Sequence, residues 1–278
     1  MKQAIVVPGQ GILTKEYLIQ QNIYDHICDE LKLILGDHYK LDFDSNIVSA
    51  LTLAIASKNS CKSNQISVFT GYSVGFIISL FHAKWISWEN LVIFLKKRSE
   101  LMVADLKPEF GMIGVIGVDF DELSRLCELN PDVEIACVNS IGNYSLSGKI
   151  AEINEVVNSL VKIKKKEFLK TEGPWHSSFL NNSKDKYVEL VNSTNFNKNS
   201  NTIVSNTNGE ILSSVEALKK DLIIHYSSRI SWVDTIKTLK SLGVEHCLET
   251  SYSNMLRSFT LFIDRKIKFK KCVEYQAL

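Results

Sequence analysis

The chain has 278 residues, of which 45% are hydrophobic and 23% are charged, and its 32 Lys and Arg residues nearly balance 31 Asp and Glu residues for a formal net charge of +1. This globular composition excludes a disordered chain and a collagen-like fibre, and the balanced charge argues against a dedicated nucleic-acid binder. A chain of this length buries about 75% of the surface of its unfolded form, so it needs no disulfide or metal to fold.

The apolar segments are short. Ala4–Val7, near the first residue, is too short for the core of a signal peptide, and no apolar run approaches the ~18 residues that cross a bilayer. We therefore expect a soluble, cytoplasmic protein with no membrane partner. The cysteines lack the spacing of metal ligands or of a C-x-x-C pair and are expected to be reduced and mostly buried; they are Cys28, Cys61, Cys127, Cys137, Cys247 and Cys272.

The first part of the chain predicts alternating strands and helices. A short apolar strand ends in Pro8-Gly9-Gln10-Gly11, a turn that exposes backbone amides. Hydrophobic spacing then predicts further elements in this order: helices Leu13–Leu35 and Ile47–Ser57, strand Ile66–Phe69, a helix from Gly75 to Ala83, and helix Trp85–Leu106.

The predicted pattern of strands and helices changes at Gly111. A compact β-α-β-α-β insert is predicted from strands Met112–Val118, Val133–Val138 and Glu167–Lys170 and helices Asp121–Leu129 and Ala151–Val161. After it we expect a helix from Ser177, an Asn-rich loop, strand Thr202–Val204, a turn at Asn206–Gly209, helix Trp232–Leu242 and strands Glu245–Glu249 and Lys266–Lys270.

The sharpest local signal is Gly71-Tyr72-Ser73-Val74-Gly75 between a predicted strand and a predicted helix. On such an elbow the glycines permit tight packing, the serine hydroxyl is held clear of the backbone, and the next N–H faces an oxyanion. The pattern alone also fits a simple glycine turn.

A serine nucleophile needs a base, which is usually histidine. His82 lies nine residues beyond Ser73 on the same predicted helix, about 13 Å away, which is too far for proton transfer. His26, His38 and His246 fit structural or surface positions better. The residues alone leave His176, after Gly173-Pro174, with a small advantage over His225.

Several motifs occur together along the chain. They are Pro8-Gly9-Gln10-Gly11, Gly71–Gly75, Arg98–Met102, Asn139–Gly148, Gly173-Pro174-Trp175-His176 and Gly243-Val244-Glu245-His246. Their order and approximate spacing resemble those of malonyl-CoA:acyl-carrier-protein acyltransferases of the discrete, trans-acting type. The resemblance covers nearly the whole chain, and Arg98 follows Ser73 by 25 residues, like the carboxylate-binding arginine of the family.

The resemblance implies a two-step transfer. Ser73, with His176 as base, would attack the malonyl thioester, and the phosphopantetheine thiol of a holo acyl carrier protein would then take the acyl group. The backbone amides of Gln10 and Val74 would form the oxyanion hole, and the planar cation of Arg98 would bind the malonyl carboxylate.

The implied architecture is α/β, with an α/β-hydrolase-like large subdomain (1–107 and 180–278) and an inserted ferredoxin-like small subdomain (108–179). Malonyl-CoA is expected as the substrate, with no tightly bound cofactor or metal. The product would serve polyketide or fatty-acid-type biosynthesis, and the divergence of the chain favours a specialised pathway.

The chain departs from the family around the acyl pocket. Tyr72, Val74 and Phe76 stand where the family commonly has His, Leu and Glu, and Trp175 replaces Ser or Phe and should narrow the space around the acyl α-carbon, which favours unbranched malonyl. His225 stands where the backbone carbonyl of Gln or Asn orients the imidazole. Its ionisable side chain could shift the pKa of His176.

A further departure lies near residue 252, where the glycine-rich turn expected from the family reads Thr250-Ser251-Tyr252-Ser253. Two basic stretches, 162–166 and 265–271, are expected to be half-buried strands with one charged face. Alternatively, they would steer an acidic carrier protein.

Three alternative functions remain open. The first is an acyl hydrolase that clears carrier-protein thioesters, although it would not need Arg98. The second is an acyltransferase for an unusual carboxylated extender unit. The third is a catalytically idle docking protein, which the joint presence of Ser73, His176 and Arg98 argues against. Arg98 itself could instead be a solvent-facing helix charge, since it follows two lysines.

Overall fold

The computed structural model describes residues 2–60, 66–104, 106–171 and 173–272. Within these ranges the strands form two sheets, one of six strands and one of five. The larger sheet contains β1 (Lys2–Val7), β2 (Val68–Gly71), β7 (Thr202–Val204), β8 (Ile211–Leu212), β10 (Val244–Glu249) and β11 (Lys268–Lys271). The smaller contains β3 (Phe110–Ile116), β4 (Val133–Ser140), β5 (Asn143–Lys149), β6 (Lys165–Phe168) and β9 (Ile230–Ser231).

Helices connect and cover these strands. They are α1 (Lys15–Gln20), α2 (Tyr24–Leu35), α3 (Asn46–Ser60), α4 (Val74–His82), α5 (Trp88–Ala104), α6 (Phe120–Glu128), α7 (Ile150–Ser159), a 3₁₀ helix at Ser178–Ser183, α8 (Lys184–Ser193), α9 (Val215–Ser227), α10 (Trp232–Ser241) and α11 (Met255–Thr260).

The larger sheet places two loops side by side. Its order is β11-β10-β1-β2-β7-β8, and every pairing except β7 with β8 is parallel. Because Val7 pairs with Gly71 at the carboxyl ends of β1 and β2, the Pro8–Gly11 turn and the Ser73 elbow leave the sheet at the same edge. Sites of open α/β sheets lie at this edge.

Four strands of the smaller sheet have the ferredoxin-like order β6-β3-β5-β4; the pairings among these four are antiparallel, and two helices, α6 and α7, accompany them. The expected β-α-β-α-β pattern omitted β5, so the pattern is β-α-β-β-α-β. Because β5 consists largely of small and polar residues, its hydrophobic pattern is weak in the sequence. Its pairing with β4 also contains irregularities in register. The α/β class with a hydrolase-like and a ferredoxin-like part is confirmed.

Two helical predictions needed correction. The predicted helix Leu13–Leu35 is two helices, because Asn22 takes the left-handed conformation (φ 55°) that ends α1. Helix α9, which the sequence analysis left out, begins where the Ser214 side chain accepts from the Ala217 N–H. It carries His225 into the core.

The two sheets are also tied to each other. After α9 the chain forms β9, whose Ile230 and Ser231 pair in parallel with Cys137 and Val138 at the edge of the smaller sheet.

No helix in the described ranges is long and apolar enough to cross a membrane. Cys28, Cys137 and Cys247 are buried, as expected, whereas Cys61 lies outside the described residues.

Candidate active site

The nucleophile elbow is a strained turn between β2 and α4. Ser73 has φ 55° and ψ −125°, a region that a non-glycine residue occupies only when its surroundings hold it there. A Cβ atom on Gly71 would lie 2.2 Å from the carbonyl of Gly75, and one on Gly75 would lie 2.2 Å from the Pro8 oxygen. The elbow therefore requires glycine at both positions. The Asn206 side chain supports the turn by accepting from the Ser73 N–H at 2.8 Å.

Ser73 and His176, called here the dyad, are in direct contact. The Ser73 Oγ lies 2.7 Å from His176 Nε2, and His176 Nδ1 lies 3.0 Å from the backbone carbonyl oxygen of His225. A carbonyl can only accept, so Nδ1 of the neutral ring carries the proton and Nε2 is free to accept from the Ser73 hydroxyl. This is the geometry of a serine activated by a base.

The surroundings keep His176 neutral. Burial lowers its pKa most, the nearby Arg98 charge lowers it further, and the hydrogen bond to the His225 carbonyl opposes both, with a resulting pKa of about 3. His176 also has a positive φ of 56°. At neutral pH its ring is therefore a proton acceptor held in one orientation.

Gln10 and Val74 lie on either side of the elbow. Gln10 follows β1 and lines the cavity in front of Ser73, and its side chain donates to Asn46 Oδ1 at 2.6 Å. Val74 is the first residue of α4, so its N–H has no acceptor within the helix. Their backbone amides are thus the candidates for an oxyanion hole, as predicted from the resemblance.

Arg98 lies on the buried face of α5. It is almost completely buried, so the alternative of a solvent-facing helix charge is wrong. Burial lowers the pKa of its guanidinium, while Tyr187 and Tyr226 oppose that shift. Among the described residues no carboxylate lies within 4.0 Å of its nitrogens, and its Nε makes no hydrogen bond. An uncompensated buried cation is costly and suits an anionic ligand.

His225 lies against the dyad from α9. Its ring centroid is 5.0 Å from that of His176 in an edge-on arrangement and 5.4 Å from that of Phe76. Two departures from the family pattern, Phe76 and His225, are therefore in contact with each other. Burial, then the His176 ring and the Arg98 charge hold the pKa of His225 well below its usual value. Arg98 and His225 are called here the rear pair.

A cavity of about 490 Å³ opens in front of the dyad. Ser73, His176, Trp175 and Gln10 line it, and its wall also includes Ile116, Phe168, Lys165 and Lys170 from the smaller sheet and the segment after it. Neither residue of the rear pair lines this cavity, nor does Val74. The rear pair therefore lies behind the side chains that line the cavity.

Trp175 lines the cavity immediately before the base. Its carbonyl accepts from the Ser147 hydroxyl at 2.6 Å, whereas its buried indole Nε1 has no hydrogen-bond partner in the described part of the chain. The predicted narrowing of the acyl pocket by Trp175 stays a prediction.

The other histidines lie elsewhere. His82 Nε2 contacts the Ser57 hydroxyl at 2.8 Å, and burial lowers its pKa to about 4. His26 contacts the Asn59 side chain at 2.9 Å, and His246 lies on β10. None of these contacts involves Ser73. No group of three or more His, Cys, Asp or Glu suited to a metal is found within the described ranges.

Some supporting residues were missed. Asn206 was noted only as part of a turn, and Asn46 was not noted at all. The Tyr72 hydroxyl donates at 2.5 Å to Asn139 Oδ1, which joins the elbow to the smaller sheet. The motif around Asn139 was the available signal, but its partner could not be deduced from spacing.

The loop after β10 keeps an unusual backbone without glycine. Ser251 and Tyr252 have φ values of 61° and 63°. The loop is held by hydrogen bonds from the Ser251 N–H to Ser60 Oγ at 3.2 Å and from the Tyr17 hydroxyl to the Tyr252 carbonyl at 2.9 Å. Side-chain contacts therefore hold a shape that glycine would adopt at less cost.

The first basic stretch is more exposed than expected. Of residues 162–166 only Lys165 and Lys166 lie in a strand, β6, which is exposed, and the half-buried Ile163 precedes it, so the prediction of a half-buried strand was wrong there. In the second stretch Ile267 is buried and Phe269 half-buried, as predicted.

Comparison with known proteins identifies relatives along the whole chain. No protein-family model matches. The malonyl CoA-acyl carrier protein transacylase of Staphylococcus aureus is 26% identical over 291 aligned residues, which cover 96% of this chain and 94% of that protein. The corresponding Bacillus subtilis transacylase is 25% identical and covers 96% and 92%.

The chain is thus similar over nearly its whole length to malonyl-CoA:acyl-carrier-protein acyltransferases. Solved structures share its fold. The Synechocystis malonyl-CoA:ACP transacylase has a TM-score of 0.85 at 22% identity and covers 98% of this chain and 97% of its own. A malonyl-transacylase solved with its type II PKS acyl-carrier protein has a TM-score of 0.84 at 19% identity and covers 97% and 95%.

Proposed function

We propose that this chain transfers a malonyl group from malonyl-CoA to the phosphopantetheine thiol of a holo acyl carrier protein through an acyl-enzyme at Ser73. The observation that carries the proposal is a Ser73 hydroxyl in contact with His176 Nε2 next to a buried arginine that has no carboxylate partner in the described ranges. A hydrolase of neutral acyl groups would gain nothing from that cation.

In the first half-reaction, Ser73 Oγ attacks the thioester carbonyl while His176 Nε2 takes the hydroxyl proton. The amides of Gln10 and Val74 stabilise the oxyanion. The carbon–sulfur bond then breaks, and His176 returns the proton to the CoA thiolate. In the second half, His176 takes the proton of the pantetheine thiol, whose sulfur attacks the Ser73 ester. The carbon–oxygen bond of the ester then breaks, and His176 gives the proton to the departing Ser73 Oγ.

Arg98 links recognition to the base. Its positive charge lowers the pKa of His176, and a bound malonyl carboxylate would neutralise that charge and raise the pKa again. A general base is more effective when its pKa lies nearer to the working pH. Malonyl binding would therefore improve the base, whereas an acetyl group would not.

The mouth of the cavity suits the two thiol substrates. Lys165 and Lys170 supply positive charge and Ile116 and Phe168 supply apolar surface near the entrance, which fits a phosphorylated pantetheine arm and an acidic carrier protein.

Malonyl-CoA acts as substrate, and the steps require no tightly bound cofactor. A cytoplasmic location and the division into subdomains 1–107 with 180–278, and 108–179, are part of the proposal.

Intact-protein mass spectrometry tests the function. After incubation with malonyl-CoA, we expect a malonyl adduct on the wild type and on Ser124→Ala, a distant control, but none on Ser73→Ala. Addition of holo carrier protein should move the adduct to the carrier. No adduct, or an adduct released only as free malonate, would overturn the proposal, and the second result would indicate a hydrolase.

A further inference from the structure

The side chain of His225 makes no hydrogen bond to the dyad in the described part of the chain. Its backbone carbonyl orients His176, and any residue at this position would supply a carbonyl. The imidazole itself is completely buried between the His176 and Phe76 rings. The structure therefore leaves a buried, ionisable side chain next to the reacting groups without an assigned task.

Both ring nitrogens of His225 are without a hydrogen-bond partner in the described part of the chain. The backbone of Ser73 lies close enough to favour the protonated ring, but no hydrogen bond of normal geometry forms. A neutral imidazole always carries one N–H donor and one acceptor, and a buried polar group that is left unpaired destabilises the fold. A ligand that accepts a hydrogen bond would recover part of this cost.

The positive charge of Arg98, close to His225, indicates the kind of ligand. The guanidinium of Arg98 is close enough to lower the pKa of both His225 and His176, and its Nε is also unpartnered in the described ranges. Phe76 covers the other side of the His225 ring with apolar surface. Two donors in one dry region, with no carboxylate from the described chain between them, fit a small anion with two acceptor oxygens.

We propose that His225 is a specificity-determining residue that donates a ring N–H to the distal carboxylate of the Ser73-bound malonyl group, beside Arg98. The inference rests on the proposed function. The carboxylate of a malonyl ester is separated from the ester carbonyl by one CH₂ group, which keeps it within a few ångströms of Ser73 Oγ. When the malonyl carboxylate binds, side chains that line the cavity move, and the carboxylate pairs with the Arg98 and His225 nitrogens that are unpaired without it.

The test compares two variants that keep the backbone carbonyl. His225→Gln retains an N–H donor, and His225→Leu removes it at similar volume. Acylation of Ser73 is measured with malonyl-CoA and acetyl-CoA, and kcat/KM is compared for the two. We expect the malonyl-to-acetyl ratio of His225→Leu to fall about 10-fold, the effect of one hydrogen bond to a charged group, and that of His225→Gln to change less than about threefold.

A purely structural role would lower acylation by both substrates equally and leave the ratio unchanged, which would overturn the proposal. If the wild type forms no malonyl adduct, the proposed function fails and this inference fails with it. If the wild type forms the adduct but His225→Leu keeps the wild-type ratio, this inference alone fails.

A measurement on the unaltered chain covers the case in which His225→Leu does not fold. Nitrogen NMR of ¹⁵N-histidine-labelled enzyme compares the malonyl and acetyl forms, with the His225 signals assigned by their absence in His225→Gln. We expect one ring nitrogen to shift toward a hydrogen-bonded or protonated value in the malonyl form only. Identical His225 signals in both forms would overturn the proposal.

Discussion

The dyad and the rear pair are neighbours that are built in opposite ways. In the dyad, the His176 nitrogens both have partners, at 2.7 Å and 3.0 Å, and both residues are held at positive φ. In the rear pair, the Arg98 Nε and both His225 nitrogens lack partners among the described residues. The dyad is complete before substrate arrives, whereas the rear pair is not.

This difference separates reaction from recognition. Proton transfer needs the acceptor in place beforehand, so the hydrogen bonds of the dyad are made within the chain. Binding of a carboxylate gains most from donors that have no competing partner in the chain. We therefore expect changes to the dyad to affect every acyl group, and changes to the rear pair to affect carboxylated ones.

The largest expected effect is loss of the base. His176→Gln should lower the rate of Ser73 acylation by about 10²- to 10⁴-fold for both malonyl-CoA and acetyl-CoA, since the base acts on the serine in either case. The loss should be larger for malonyl-CoA, whose carboxylate neutralises the Arg98 charge that lowers the pKa of His176. Rapid-quench mass spectrometry measures both rates. His82→Gln is the matched control, because His82 also contacts a serine hydroxyl, that of Ser57, and should keep wild-type rates.

Removal of Arg98 should discriminate between substrates. Arg98→Met should lower kcat/KM for malonyl-CoA by about 10- to 100-fold, the effect of a charge-assisted hydrogen bond. It should not lower kcat/KM for acetyl-CoA, because loss of the Arg98 charge raises the pKa of His176. Exposed Arg125 on α6 gives the control Arg125→Met. An equal fall for both substrates would show that Arg98 supports the dyad instead of reading the carboxylate.

The same variant should be more stable than the wild type. A buried cation without a carboxylate partner in the described ranges destabilises the fold, so replacing it with an apolar side chain of similar length should raise the free energy of unfolding by about 1–4 kcal/mol. Urea denaturation at pH 7 measures the change. A loss of stability would indicate that Arg98 has a structural partner, and the contrast between the dyad and the rear pair would disappear.

The pH dependence of stability gives the smallest effect. His176, with a pKa of about 3, and His225, with a pKa well below its usual 6.5, stay neutral in the folded chain, but both take up a proton when the chain unfolds below about pH 6.5. They therefore lower the free energy of unfolding as the pH falls and leave it unchanged at higher pH.

Each such histidine adds a slope of at most about 1.4 kcal/mol per pH unit between roughly pH 5.5 and pH 4.5. His225→Gln should reduce the wild-type slope by that amount, as measured by urea denaturation at several pH values. An unchanged slope would mean that His225 is protonated in the folded chain, and the rear pair would then carry two charges.

Several features followed from the sequence because they depend on neighbouring residues. The elbow requires Gly71 and Gly75 because the chain approaches itself within 2.2 Å there, and that requirement is visible as G-x-S-x-G. Hydrophobic spacing located α3, α4 and α10 to within a few residues. It missed β5, whose small polar residues carry no strong pattern, and α9, which lies between a turn and an edge strand.

By itself, the sequence determined the α/β class, the resemblance to the acyltransferase family and the candidates Ser73, His176 and Arg98, because their motifs are local and keep their order along the chain. The tertiary structure alone decided which histidine meets a serine 103 residues away, that Arg98 is buried without a carboxylate partner in the described ranges, and that His225 faces Phe76. These properties depend on packing between segments far apart in sequence, and burial sets both the pKa of a side chain and the cost of leaving it unpaired.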